Sequence, residues 1–469
     1  MTQYMLLFSL GPVQPFIAQA RKTRDLWQGS FLLSTLMESA MQGIDSSALV
    51  FPTEPAIKDN IPDLPNKYIA IFNTEQQASN TALKSKQQIE ACWQSICQDV
   101  WKEIIEKHAR FRTEQTRRIW ERQTNPARCF EIYWVIVEGD SSPEHYQQWL
   151  QKTQAALDAR KRFRNFLPQD EPGEKSTISG LREALRGSGV TRQDVQMFWR
   201  DLAQHLSAKD ISQDGTERLD AIDTVKRFAV QSNFFQKKNF KADFPSTSSV
   251  ATASFVAQLF QTQIDPSVLD KWLQATNAPL DSMQPETIPY LYNLAKEDST
   301  LLKILKRDGD CFFPETFTPR RLYKDYGLPS NAPGTQQRAE QCYKATTAML
   351  TAVSQAGLSQ PTPYYALLQM DGDHMGTLLS GVHDREEHKA ISGQLSHFAR
   401  EDVPRLVQKK HPARLVYAGG DDVLAFSPLE ELFKLADELQ QTYCEQLRNI
   451  VSDEERKKQV TASMGIVIA

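Results

Sequence analysis

The sequence predicts an α+β fold with one ferredoxin-like unit at each end of the chain. Three observations support this prediction: the length, the order of strand-like and helix-like segments over the first 145 residues, and the return of that order near the carboxyl end. The 469 residues suffice for roughly three domains of about 100–200 residues each. We expect a first ferredoxin-like domain at 1–145, a small linking domain at 146–250, a helical segment at 251–360 and a second ferredoxin-like domain at 361–469.

The first domain is predicted from short apolar strands that alternate with longer stretches of helical spacing. Their order, strand, helix, strand, strand, helix, strand, is the ferredoxin-like arrangement. The expected strands cover 4–10, 48–51, 67–72 and 130–137, and the expected helices cover 15–42 and 81–123.

The same order of elements returns in the second domain. Its second helix has a clear start signal, since Ser427 is a capping residue, Pro428 suits the first helical position and Glu430 follows three residues after the cap. One buried helical face is then predicted at Leu432, Leu435, Leu439 and Tyr443. The expected strands cover 364–370, 413–417, 423–426 and 460–469, and the expected helices cover 387–409 and 429–450.

Composition and charge exclude several classes of protein. The formal net charge is −4, so binding of nucleic acid through an overall positive charge is not expected. No run approaches the roughly 18 apolar residues that span a bilayer, and the apolar amino-terminal run has no basic leader. The six cysteines form no C-x-x-C pair, which predicts a reducing cytoplasm and not a disulfide scaffold.

The clearest chemical motif is the turn Gly419-Gly420-Asp421-Asp422 between two apolar strand segments. Adjacent glycines permit a tight hairpin with positive φ and let a phosphate approach the backbone. Two carboxylates at the tip of this hairpin repel each other unless a cation joins them. Mg²⁺, which binds one or two carboxylates together with substrate phosphates, is the cation that suits them.

A second acidic motif, Asp371-Gly372-Asp373, ends the first strand of the same domain. Because side chains alternate along a strand, both carboxylates are expected on one side. That strand should lie beside the glycine turn, so that four carboxylates converge on one sheet edge. Two metal ions about 3.5–4 Å apart would then support in-line attack of a hydroxyl on a nucleotide α-phosphate. Residues 374–377 open towards a helix and would offer backbone N–H groups to the triphosphate.

Each acidic motif alone is an ordinary turn, whereas the two together favour a catalytic site. Further motifs are spread along the chain: GPVQPFI at 11–17, ARKTRDLWQGS at 20–30, ARKRFRNF at 159–166, FPST at 244–247, DGDHMG at 371–376 and GGDD at 419–422. In this combination the chain resembles the large palm subunit of type III-B CRISPR effectors, the Cmr complex, a family related to nucleotide cyclases and polymerase palms.

The resemblance implies that the two ferredoxin-like domains are a first and a second palm. It also implies an antiviral ribonucleoprotein with guide crRNA, target RNA and other Cmr-type subunits as partners. Target RNA would activate synthesis of a cyclic oligoadenylate from ATP, with Mg²⁺ or Mn²⁺ as the metal.

The resemblance also implies particular site residues. Asp371 and Asp421 match the positions expected to hold the catalytic metals, with Asp422 and Asp373 in support. Gly29-Ser30 would form the part of the nucleotide pocket that the first palm contributes, although helix packing explains this stretch equally well. The other nucleotide-binding positions that the resemblance implies are Gly372, Asp373, Gly376, Gly419 and Gly420.

Three departures from the family pattern limit this transfer. No His-Asp pair before residue 100 could supply the family's HD nuclease domain. Where the family has two C-x-x-C pairs for zinc, this chain has EKSTISG at 174–180 and RLDAID at 218–223. We therefore expect no zinc and a segment held by ordinary packing. The sequence stops at Ala469, where the family continues into a C-terminal helical domain.

Two basic clusters are open to more than one interpretation. Residues 160–166 interleave four basic side chains with two phenylalanines, which suits RNA with stacked bases but equally a solvated helix face. The arginines at 110–122 alternate with glutamates that can pair with them along a helix.

Several functions therefore stay open. The chain is an oligoadenylate synthase, a transferase of AMP to another small acceptor, or a catalytically silent scaffold that anchors the guide RNA 5′ end and neighbouring subunits. A free-standing diguanylate-type cyclase is less well supported, because it needs one palm in a homodimer and this chain has two.

Overall fold

The computed structural model describes residues 2–57, 62–163, 171–236, 244–329, 332–451 and 453–469. Eight strands in this part of the chain form two four-stranded sheets. The first sheet contains β1 (Thr2–Gly11), β2 (Leu49–Phe51), β3 (Lys67–Phe72) and β4 (Glu131–Asp140). The second contains β5 (Tyr365–Gly372), β6 (Arg414–Gly419), β7 (Asp422–Pro428) and β8 (Ala462–Ile468).

Both sheets have the same topology. The strand order is β2-β3-β1-β4 in the first and β6-β7-β5-β8 in the second, and all neighbouring strands are antiparallel. The α+β fold with two ferredoxin-like units is therefore confirmed. We call these units the first and the second palm.

Helices cover most of the rest of the described chain. In the first palm and the segment after it they are α1 (Gln14–Ala18), α2 (Thr23–Met41), α3 (Glu75–Val100), α4 (Glu114–Thr124), α5 (Pro126–Cys129), α6 (Pro143–Arg162), α7 (Arg192–Ala203), α8 (Ala221–Phe228) and α9 (Asn233–Gln236). The middle of the chain contains α10 (Thr247–Ala251), α11 (Ala253–Phe260), α12 (Pro266–Ala275), α13 (Pro289–Ala295), α14 (Ser299–Leu305), α15 (Pro319–Tyr326) and α16 (Pro333–Gln355). The second palm contains α17 (Met375–Ser380), α18 (Arg385–His397), α19 (Leu432–Ile450) and α20 (Glu454–Gln459).

Three of the expected long helices are wrong as single elements. The stretch 15–42 divides into α1 and α2. The stretch 81–123 divides into α3, a π-helical turn at Trp101–Glu106 and α4. The second piece has its own start, because the Thr113 hydroxyl accepts a hydrogen bond from the amide of Thr116. The stretch 387–409 likewise leaves the α-helical path after His397 and continues as π-helical turns on either side of Pro404, which has no amide hydrogen to donate.

The two palms pack against each other through alternate residues of the first sheet. Leu6 and Phe8 of β1 enter the core formed with α2 and α3. Met5 and Leu7, on the other face of the same strand, join a core that includes α18 of the second palm. Phe426 of β7 in turn belongs to the core of the first palm. The two sheets thus contribute to shared apolar cores, whereas Ile466, Val467 and Ile468 of β8 stay exposed.

Polar contacts also hold the palms together beside the glycine turn. The Arg400 guanidinium donates hydrogen bonds to the carbonyl oxygens of Glu54 at 3.0 Å and Ala56 at 2.6 Å. The amide of Ala418 donates to the carbonyl oxygen of Pro62 at 3.3 Å. The chain between β2 and β3 of the first palm therefore lies against the turn of the second.

The middle of the chain is mostly helical. Helix α6, which contains the position of the expected boundary near 145, packs on the first sheet, and its Trp149 indole donates to the carbonyl of Val137 at 2.9 Å. Residues between 253 and 353 form a separate apolar core. None of the helices in the described ranges is long and apolar enough to cross a membrane.

Candidate active site

The end of the second sheet brings two of the predicted acidic residues into contact. Strands β5 and β7 pair up to Met370 and Val423, and the next residues on the two strands are Asp371 and Asp422. Their carboxyl groups lie within hydrogen-bonding contact of each other. Asp421, the preceding residue in the turn, is close enough to Asp371 for their charges to interact. Three of the four expected carboxylates therefore form one acidic cluster.

Glycines make this close approach possible. Gly420 has a φ of 79°, which side chains of L-residues rarely allow. A Cβ atom on Gly372 would overlap the hydroxyl of Tyr443 and would lie only 2.8 Å from the Cβ of Asp421. A Cβ on Gly419 would overlap the side chain of Tyr417. Each glycine of the two motifs thus has a steric reason to stand where it does.

Burial and neighbouring charge disfavour the ionised form of the cluster. Burial raises the pKa of Asp421 to about 6, and the charge of Asp371 adds to this increase. Burial, the contact with Asp371 and the charge of Asp421 raise the pKa of Asp422 to about 8. Lys67 of the first palm opposes both increases. A cation beside the carboxyl groups would favour their ionised form, which is the electrostatic requirement of a metal-binding site.

The donor set fits a hard divalent cation that is shared with a substrate. Within the described ranges, no group of three or more His, Cys, Asp and Glu side chains could hold a metal ion unaided. Mg²⁺ needs no such cage, because it commonly takes one or two carboxylates and completes its octahedron with water and phosphate oxygens. Asp371 and Asp422 would supply those two carboxylates.

The fourth expected carboxylate, Asp373, does not join the cluster. Its oxygens accept hydrogen bonds from the hydroxyls of Thr461 at 2.8 Å and Ser463 at 2.7 Å, next to and on β8. These bonds lower the pKa of Asp373. The expected convergence of four carboxylates is therefore corrected to three. The backbone does not continue as an extended strand beyond Gly372, and His374 already has a φ of 57°.

A cavity of about 250 Å³ lies between the two palms and reaches the glycine turn. Gly376, Gly420 and Asp421, all predicted site residues, line it. Its other walls come from the first sheet, α6, α17 and α18, and include Leu7, Phe51, Lys67, Ile69, Gln154, Leu157, Asp158, Lys161, Met375, Leu379, His388 and Leu395. Sequence analysis did not single out Lys67, and no local motif marks it, because the cavity exists only where the two palms meet.

Gly29 and Ser30 are not among the residues that line this cavity. A Cβ on Gly29 would lie 3.2 Å from the Cε of Lys226 and 3.3 Å from the Cα of Ile17, so that this glycine serves a close approach of α1 and α8 to α2. Ser30 is buried in the same helix, and its hydroxyl has no hydrogen-bond partner within the described ranges.

The residues of the basic cluster at 160–166 have different surroundings in the structure. Lys161 lines the cavity, whereas the guanidinium of Arg160 stacks 4.8 Å from the ring centre of Tyr133. Phe163 is largely exposed, and Arg164 and Phe166 lie outside the described residues.

The segment expected to be held by ordinary packing also contains a polar cluster. The hydroxyl of Ser176 donates to Asp223 at 2.6 Å, and that of Ser179 donates to Asp220 at 2.7 Å. The guanidinium of Arg182 donates to Asp220 at 2.9 Å. We call these five residues the Ser–Asp cluster. It adds hydrogen bonds between the stretches at 174–180 and 218–223 to the apolar packing of Leu219, Ala221 and Ile222.

Comparison with known families finds two matches. The family described as "CRISPR-associated protein Cmr2, N-terminal" matches residues 5–105, and the family described as "Cas10/Cmr2, second palm domain" matches residues 364–469. These two parts of the chain resemble Cas10/Cmr2. The resemblance found in the sequence is confirmed, and the second match covers the whole acidic cluster.

Individual relatives agree with this assignment. The Cmr subunit Cmr2 of the CRISPR system of Pyrococcus furiosus is 24% identical over 520 residues, which cover 95% of this chain and 55% of the relative. The chain thus spans little more than half of that relative's length. A chain in the cryo-EM structure of the apo state of type III-B Cmr-beta matches all of this chain and 65% of its own, with a TM-score of 0.66. Its counterpart in Cmr-beta bound to cognate target RNA has a TM-score of 0.63 with 66% covered. Both are 14% identical, so this likeness concerns the fold.

Proposed function

We propose that this chain is a metal-dependent nucleotidyltransferase that makes cyclic oligoadenylate from ATP when its ribonucleoprotein binds target RNA. One observation carries the proposal: Asp371 and Asp422 are in contact at the end of the second sheet, and Asp421 beside them lines a cavity between the palms. Carboxylates in this arrangement suit phosphoryl chemistry, where charge on phosphate oxygens must be offset by cations.

The reaction is a transfer of AMP from one ATP to another. The 3′-hydroxyl oxygen of one nucleotide forms a bond to the α-phosphorus of the second, the bond to pyrophosphate breaks, and the hydroxyl proton passes to solvent. Mg²⁺ or Mn²⁺ held by Asp371 and Asp422, with Asp421 in support, would supply Lewis-acid stabilisation and a lower hydroxyl pKa. Gly420 keeps the turn free of a side chain where phosphate must approach.

The partners follow from the same proposal. The matched relatives are named as a Cmr subunit and as Cmr-beta bound to cognate target RNA. We infer that this chain also works with guide crRNA, target RNA and other Cmr-type subunits, in the cytoplasm. Specificity for the target would come from guide–target base pairing, with the protein contacting backbone and shape.

The test is synthesis by the assembled particle with guide, target RNA, Mg²⁺ and labelled ATP. The double variant Asp421→Asn, Asp422→Asn should lose the oligoadenylate product, because the cluster then carries one carboxylate in place of three. Asp437→Asn, an exposed position on α19, is the matched control and should retain it. Product that is unchanged in the double variant, or absent from a well-assembled wild-type particle, would favour the silent scaffold that anchors the guide RNA.

A further inference from the structure

Two lysines line the cavity between the palms together with Asp421. Lys67 is the first residue of β3 in the first palm, and Lys161 lies in the last turn of α6. Within the described part of the chain, neither ammonium group has an ion-pair or hydrogen-bond partner. Lys161 is half-buried and Lys67 is more exposed, so both side chains combine a position on the cavity wall with access to solvent.

The two lysines are near enough to act on each other and on the acidic cluster. Burial and the charge of Lys67 lower the pKa of Lys161, while Asp158 opposes the decrease. Lys67 also acts on the pKa of Asp421 and Asp422, so that its charge lies within electrostatic reach of both. Two cations that repel each other across one space favour an anion between them.

The remaining walls of the cavity restrict the size of that anion. Pockets that take whole small molecules usually measure about 300–1,000 Å³. At about 250 Å³ this cavity suits a part of a nucleotide. Lysine binds phosphate as a compact point charge and needs no planar geometry in its partner.

We propose that Lys67 and Lys161 bind the β- and γ-phosphates of the ATP whose α-phosphate is attacked beside Asp421. This inference rests on the proposed function and assigns a separate task to each palm. The second palm supplies the carboxylates at the α-phosphate, and the first palm with α6 supplies the cations that hold the leaving pyrophosphate. Lys161 is then a nucleotide ligand and not part of an RNA-binding surface.

Binding to the full chain tests the inference without chemistry. The probes are α,β-methylene ATP, which cannot be cleaved at the α-phosphate, tripolyphosphate and adenosine. Lys67→Met and Lys161→Met keep the apolar stems and should each weaken the two polyphosphate probes about tenfold or more, since hydrogen bonds to charged groups contribute that much. Binding of adenosine should stay the same, and Lys161→Arg should restore most of the affinity for α,β-methylene ATP.

The matched control is Lys152→Met, an exposed position on the same helix, which should bind all three probes as the wild type does. Thermal unfolding of each variant checks that it is folded. Unchanged binding of α,β-methylene ATP in both methionine variants, an equal loss for adenosine, or no binding to the wild type would overturn the inference. If the wild-type chain shows the expected lysine dependence but the particle makes no oligoadenylate, the synthase proposal fails and the phosphate site stands.

Discussion

Gly372 has no room for a side chain, because a Cβ atom there would meet both the Tyr443 hydroxyl and the Cβ of Asp421. We expect Gly372→Ala to lower the free energy of unfolding by about 1–3 kcal/mol, because overpacking forces neighbouring groups apart. The displaced group includes Asp421, so oligoadenylate synthesis should fall more than stability at the assay temperature explains. Urea unfolding of the chain and product formation by the particle measure the two effects.

Gly334→Ala in α16 is the control for this substitution. A Cβ atom at Gly334 would have open space around it among the residues that the structure describes, apart from its own helix backbone. In a helix, replacing glycine by alanine usually stabilises by about 0.5–1 kcal/mol, so this variant should be slightly more stable and fully active. Wild-type stability and activity in Gly372→Ala would contradict the close contact with Asp421.

Among the structural elements, the Ser–Asp cluster connects two stretches of chain and includes Arg182, a partly buried cation. Asp220 and Asp223 are buried, and Arg182 is the guanidinium that faces both, at 2.9 and 3.9 Å. Removing one partner of a buried ion pair typically costs about 3–5 kcal/mol, because the remaining charge is left uncompensated. We expect Arg182→Met to lower the free energy of unfolding by an amount of this order, measured by urea denaturation.

The comparison for Arg182 is Arg192→Met. Arg192 is largely exposed and lies 3.9 Å from Glu174, so its removal should change the free energy of unfolding by less than about 1 kcal/mol. Metal analysis of the purified chain belongs to the same experiment. Equal stability of the two variants would show that Arg182 does not hold the cluster. Stoichiometric zinc in the wild type would contradict the expectation of no zinc in this segment.

The sequence predicted those elements whose signals are local. Short apolar runs placed β1 and β7, and the paired glycines placed the turn, because each depends on residues within one strand or hairpin. The hydrogen bonds that keep Asp373 out of the acidic cluster were not predictable, since its partners Thr461 and Ser463 lie 88 and 90 residues further along the chain. Lys67 carried no local signal for the same reason.

In the whole molecule, Arg400 of the second palm is a buried cation at the interface with the first palm. Besides its bonds to the backbone between β2 and β3, it forms ion pairs with Glu54 and Asp63. Burial raises the pKa of Asp63 to about 6, although Arg400 opposes the increase. The folded chain therefore binds more protons than the unfolded chain between pH 4 and 6, so this carboxyl makes stability fall as the pH rises through that window.

Arg400→Met should extend this loss of stability to higher pH, because without the guanidinium the pKa of Asp63 rises further. The deficit relative to wild type should be smallest at pH 5, where mainly the bonds to the carbonyls of Glu54 and Ala56 are lost, and should grow above pH 6, towards about 3–5 kcal/mol. Hydrogen exchange should accelerate at β6, where the amide of Ala418 bonds to the first palm. Arg405→Met, a half-exposed neighbour that pairs with Asp402 inside the second palm, should change neither measurement.

Because the cavity beside Asp421 exists only while the palms stay together, Arg400→Met should also weaken binding of α,β-methylene ATP. A pH-independent deficit with unchanged exchange at Ala418 would mean that Arg400 does not hold the interface.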